Sequence, residues 1–124
     1  MLSQNQVVAV RKAIESTYIG TCTVTEYAKK QRENKTTGFE EEIVLQNQPC
    51  RLSFERITST NSGQVAAELT QSTKILISPE IHIKPGSKLT ITQNEITTEY
   101  KNSGEPAIYA THQEVILELF KGWA

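Results

Sequence analysis

Any chemistry in this chain would have to run through very few side chains. It has two histidines, His82 and His112, and two cysteines, Cys22 and Cys50. All 14 acidic residues are glutamates. With no aspartate, a Ser-His-Asp relay and an Asp-built calcium loop are excluded. Cys22 and Cys50 are widely separated and form no CxxC pair, so a four-ligand zinc site is not expected. Both read as small buried hydrophobes; a disulfide between them would need an oxidising compartment. His82 lies in Ile81-His82-Ile83, on the polar side of what reads as an alternating strand, where a surface or hydrogen-bonding role fits best. His112, in Thr111-His112-Gln113-Glu114, enters a strand and could orient a turn through its ring nitrogens. Glu40-Glu41-Glu42 alternate between faces in an extended chain, so they read as a solvated rim. No glycine-rich phosphate cradle occurs. The residues supply no nucleophile with a supporting base. We therefore expect no catalytic residues, no metal, no cofactor and no enzyme activity.

The bulk composition agrees with a binding or structural role. The chain has 124 residues, the size of one domain, and is 37% hydrophobic and 22% charged, enough to bury a core. Its formal net charge of -1 argues against a free-standing nucleic-acid binder. The densest basic group, Lys29-Lys30-Gln31-Arg32, reads as a solvated loop. No signal-peptide pattern and no apolar run near the ~20 residues that span a bilayer are present, which predicts a soluble intracellular protein.

The elements that must position these residues are mostly strands. Ser3 and Gln6 form a capping box ahead of Val7, Val10, Ile14 and Tyr18 at helical spacing, which predicts a helix over residues 4–17. Its apolar stripe must dock on the body or on a neighbouring subunit. Alternation then predicts strands at Thr21–Tyr27, Glu41–Leu45, Pro49–Ile57, within Ile75–Tyr100, and at Ala107–Leu119. On the third of these, Cys50, Leu52 and Phe54 share a face. Ala28–Gly38 reads as an exposed loop or long hairpin tip. Pro85-Gly86 fits the centre of a type II turn, Ser78-Pro79-Glu80 is a second break, and Gln93-Asn94-Glu95 is a short hairpin. Residues 58–72 form a long polar insert, with one helical turn expected at Val65–Leu69. Trp123, the single tryptophan, either folds back or plugs into a partner. The expected fold is all-β: a small barrel or sandwich of about six strands over residues 21–120, with one N-terminal helix, in a single domain spanning 1–124.

Several stretches in order carry a resemblance. They are Thr21–Tyr27, Pro49–Ser53, Ile81–Lys88, Thr98–Gly104, and Pro106–Tyr109 with His112-Gln113-Glu114. Together they resemble the head–tail connector proteins of tailed phages and prophages, the head-completion or stopper family. That resemblance covers nearly the whole chain. It implies a β-barrel that forms a ring at the portal vertex, contacts portal or adaptor and tail proteins, and passes DNA without reading its sequence. No membrane is involved, and assembly takes place in the bacterial cytoplasm. It also implies that the insert reaches into the channel, through Ser59, Thr60, Asn61, Ser62, Gly63, Gln64 and Glu68. That tract offers no cation to hold phosphates. The docking residues implied are Val7, Val10, Ile14 and Trp123, with a monomer that rings up only on its partner.

Two other classes fit the same residues less well. One is a tail-completion or terminator ring protein. The other is an OB-like module for single-stranded nucleic acid, for which Tyr100-Lys101 is the best pairing of a stacking ring with a cation.

Overall fold

The computed structural model describes residues 2–31, 37–59 and 68–123. A single helix, α1 (Gln4–Glu15), precedes seven strands: β1 (Gly20–Gln31), β2 (Thr37–Ser59), β3 (Glu68–Ile77), β4 (Lys88–Gln93), β5 (Ile96–Asn102), β6 (Ala107–Ile108) and β7 (Gln113–Leu119). All pairings are antiparallel. The ladder runs β3-β2-β1-β4-β5-β7-β6, and a further β3–β7 pairing joins its ends. Six strands thus close on themselves, with β6 a short flap on β7. This is the all-β fold with one N-terminal helix that the alternation predicts.

The interior is filled by the period-two positions. Cys22, Val24, Cys50, Leu52, Ile75, Ile77, Leu89, Ile91, Tyr100, Val115 and Leu117 are buried, joined by Ile83 from a loop. Each large aliphatic among them contributes about 1.5–3 kcal/mol of transfer free energy. The turns follow the local chemistry. Gly86 has φ 83° and Ser87 N–H donates to the Lys84 carbonyl at 3.1 Å, closing the Pro85-Gly86 turn. Asn94 and Glu95 both take positive φ (54° and 65°), the geometry of a tight β4–β5 hairpin.

Four expectations need correction. Residues 41–57 do not form two strands but one, β2, 23 residues long. Its break is a bulge: between the Cys22–Gln48 and Val24–Leu45 pairs β2 carries an extra residue, and Asn47 takes φ 51°, which asparagine tolerates. Ile81–Ile83 is not a strand. The prolines at 79 and 85 remove donors there. The buried Gln113 amide instead donates to the Ser78 and Ile81 carbonyls. Residues 107–119 split into the β6–β7 hairpin, closed by Tyr109 N–H to the His112 carbonyl at 2.8 Å. The insert does not begin at residue 58: β2 and β3 stay paired out to Ser59 and Glu68. Glu68 and Leu69 are therefore strand, and residues 60–67 lie outside the described residues.

Candidate assembly surfaces

β2 outruns the barrel at both ends. At about 3.3 Å per residue its contour is about 70 Å. β1 accompanies it from Gly20–Cys50 to Gln31–Thr37, but β4 covers β1 only from Thr21 to Thr25. Beyond that, residues 26–31 and 37–42 form a two-stranded arm. At the other end, β2 pairs with β3 from Cys50–Ile77 to Ser59–Glu68, while β7 covers β3 only over Thr73–Ile77. Residues 55–59 and 68–72 make the second arm, at the opposite end of the barrel. Lys29, Lys30 and Gln31 are therefore strand, not loop; Arg32 is outside the described residues. Ser59 and Glu68 stand at the far end of the second arm, and Thr60, Asn61, Ser62, Gly63 and Gln64 lie outside the described residues.

Among the described residues, β2 carries four exposed large apolar side chains. Phe39, Ile43 and Phe54 are more than half exposed, and Val44 is exposed. Phe54 shares the face of Cys50 and Leu52, as the alternation predicts, yet it sits at the rim of the barrel and stays half exposed.

Aromatic rings brace the base of the first arm. Tyr27 stacks on Phe39 (centroids 5.3 Å apart) and on Trp123 (4.9 Å), and Phe120 meets Trp123 edge-on at 4.9 Å. Trp123 thus folds back. Its indole N–H donates to Glu41 Oε1 at 3.0 Å. Beneath lies Lys88, nearly buried, bonded to Glu41 at 2.9 Å and paired with Glu99 at 3.4 Å, with its ammonium 5.2 Å from the Phe120 ring. The Glu41 hydrogen bond raises the Lys88 pKa against the opposing effect of burial; the same bond, with the indole N–H, lowers that of Glu41. An open groove of about 480 Å³ runs beside this cluster, between Tyr27, Trp123 and the Lys84–Ser87 turn. Tyr27 and Phe39 lie on one face of the arm two residues out of direct register, a relationship that only the strand pairing reveals.

α1 is capped as predicted. Gln6 N–H donates to Ser3 Oγ at 3.2 Å and Ser3 N–H to Gln6 Oε1 at 2.8 Å. No residue of its stripe, however, is fully buried. Val7 and Ile14 are half-buried and Val10 is exposed. Polar contacts hold the helix instead. Arg11 donates to both Glu80 carboxylate oxygens, each at 2.6 Å, and to Ser78 Oγ at 2.9 Å. The Arg11 hydrogen bonds bring the Glu80 pKa down to about 2 and raise that of Arg11.

The two histidines sit on different elements. His82 is exposed on the 78–87 segment. His112 contacts Thr111 Oγ1 through Nδ1 and Glu114 Oε2 through Nε2, both at 2.9 Å, and stacks on Tyr109 at 4.9 Å. Glu114 in turn accepts from Lys74 at 2.8 Å, the first cause of its lowered pKa. His112 thereby orients the β6–β7 turn. The Cys22 and Cys50 thiols are free and fully buried; their mutual hydrogen bond and the loss of water push Cys22 up. Tyr100 is buried, and Lys101 pairs with Glu118 at 3.1 Å, so the expected stacking pair for single-stranded nucleic acid is not presented to solvent. Glu40, Glu41 and Glu42 are all exposed, on alternating faces of the first arm. Among the described residues no helix is long and apolar enough to cross a membrane, and no three metal-ligating side chains cluster.

No family model matches the sequence, and no curated protein matches it. Among solved structures, the phage-like element PBSX protein xkdH from Bacillus subtilis is similar to this chain. The identity is 12% and the TM-score 0.47, over 80% of this chain and 91% of that one.

Proposed function

We propose that the chain is a non-enzymatic structural subunit of a phage head–tail interface, which assembles into a ring at the portal vertex and surrounds the passage for DNA. One observation carries this reading. The barrel closes on itself, yet its longest strand runs past both ends and builds two arms with open edges. A domain that worked alone would have no use for such edges, because each is a template for pairing with another chain. The ordered motifs that resemble the head-completion family support the same reading. So does the net charge of -1, which suits a surface that DNA slides past rather than grips. The interior is packed with side chains, so the passage belongs to the ring and not to the barrel.

The test is to purify DNA-filled particles of the phage or induced prophage that encodes the chain. Mass spectrometry of the particles and electron cryomicroscopy of the portal vertex are expected to show many copies in a ring. Absence of the chain from filled particles, or its presence in single copies, overturns the proposal.

A further inference from the structure

The first arm carries opposite charges on its two edges. Among the described residues, the β1 edge beyond Thr25 has no neighbouring strand and presents Lys29 and Lys30. Among the same residues, the β2 edge from Thr37 to Pro49 has no strand on its outer side, because β3 pairing starts only at Cys50, and it presents Glu40, Glu41 and Glu42. We infer that the β2 edge of one subunit pairs antiparallel with the β1 edge of the next copy, so that the arms form one continuous β-cylinder around the ring. This rests on the ring reading above and names its seam.

The charges select both occupant and polarity. Pairing two β2 edges would set glutamate against glutamate, and like charges on facing strands are destabilising; two β1 edges could offer Lys30 only Glu26, which Lys84 already holds at 3.6 Å. The head-to-tail arrangement sets Lys29 and Lys30 against Glu40, Glu41 and Glu42, and a head-to-tail contact repeats into a closed ring when its rotation closes. On one face of the arm Lys30 lies with Glu40 and Glu42; on the other Lys29 lies with Glu41. Within a subunit Lys30 already reaches Glu42 at 3.6 Å, so these side chains are long enough to span neighbouring strands. Exposed Phe39 and Ile43 flank the three glutamates along β2 and would be covered in the seam.

The test uses the full chain. Equal amounts of ¹⁵N-labelled and unlabelled protein are mixed at high concentration and treated with a zero-length carbodiimide, which joins only touching amine–carboxylate pairs. Cross-links of mixed isotope between Lys29 or Lys30 and Glu40, Glu41 or Glu42 are expected. If these pairs are joined only within one isotope, the seam is rejected. Charge inversion provides the second arm. A Lys29→Glu, Lys30→Glu chain and a Glu40→Lys, Glu42→Lys chain are each expected to lose at least tenfold of the mixed-isotope yield, and an equimolar mixture to regain it. Recovery separates the seam from simple damage to the arm, since mixing cannot mend a misfolded hairpin. Failure to recover, with both variants folded by Trp123 fluorescence, overturns the proposal. A ring seen on particles but cross-linked elsewhere sinks the seam alone; seam cross-links with no ring on particles sink the ring reading alone.

Discussion

The Gln93 side chain lies along the Leu52 backbone as a neighbouring strand would. Its Oε1 accepts from Leu52 N–H at 2.8 Å and its Nε2 donates to the Leu52 carbonyl at 3.3 Å. β1 begins at Gly20, opposite Cys50, so β2 beyond Cys50 has lost its partner on that side. One amide supplies the missing donor and acceptor. Gly20 makes the approach possible: a Cβ there would stand 3.0 Å from the Thr92 carbonyl and 3.2 Å from Gln93 Oε1.

Gln93→Met keeps the shape and removes both bonds. Leaving the Leu52 groups unpaired is expected to cost about 1–3 kcal/mol in urea unfolding. An unchanged midpoint would show that the amide is not needed to close the barrel. Gly20→Ala should cost about the same through crowding against the Thr92 carbonyl, which is backbone and cannot swing away.

The tether of α1 follows the charge on Glu80. Its folded pKa is about 2, below the ordinary 4.5. A depressed carboxylate contributes stability that is present above 4.5 and is lost as pH falls through about 2. The Arg11 Nη–H signals in NMR, from the nitrogens that bind Glu80, are therefore expected to persist at pH 3 and to fade near pH 2. Glu80→Gln should release the helix at neutral pH, seen as faster proteolysis between residues 15 and 20, with the barrel's unfolding midpoint nearly unchanged because α1 buries no residue. Proteolysis at the wild-type rate would mean that contacts other than the ion pair hold the helix.

The thiols of Cys22 and Cys50 test closure of the barrel. Both are fully buried, and only a thiolate reacts with aromatic disulfides. Modification of native protein is expected to proceed at the rate of unfolding, and to accelerate in parallel for both cysteines as urea is added. Fast labelling of either one in the native state would show that the barrel opens on that side.

What the sequence made legible, and what it hid, divides along physical lines. Cys22 and Val24, Leu89 and Ile91, Val115 and Leu117 announce themselves because a closed barrel buries every second residue. The turns at Pro85-Gly86 and Asn94-Glu95 are dictated by backbone conformations that few residues accept. β2 was harder to read, because a bulge at Asn47 looks like a strand end when no partner register is known. The first arm leaves no periodic trace: none of its residues is buried, so Phe39 is apolar without being core. Gln93 and Gln113 are polar in type yet serve as backbone surrogates inside, a role that depends on where the ladder fails.

The fate of the C-terminal tail is tied to one ammonium group. Lys88 is nearly buried between Glu41, Glu99 and the rings of Phe120 and Trp123. Its folded pKa is raised, first by the Glu41 hydrogen bond. A raised lysine contributes stability that is fully present below the ordinary 10.5 and is lost as pH rises through the higher folded value. Trp123 emission should therefore stay constant from pH 7 to 10 and shift red only above the ordinary lysine range. The decisive comparison is Lys88→Arg, which stays charged and should hold the emission unshifted. Lys88→Met should release the tail already at neutral pH, with a red shift and faster carboxypeptidase trimming. If the methionine variant keeps the wild-type emission, the stack of Tyr27 on Trp123 holds the tail without the cation. Aromatic pairs of this kind are worth about 0.5–1.5 kcal/mol each, so Tyr27→Ala in that background would then be the change that frees it.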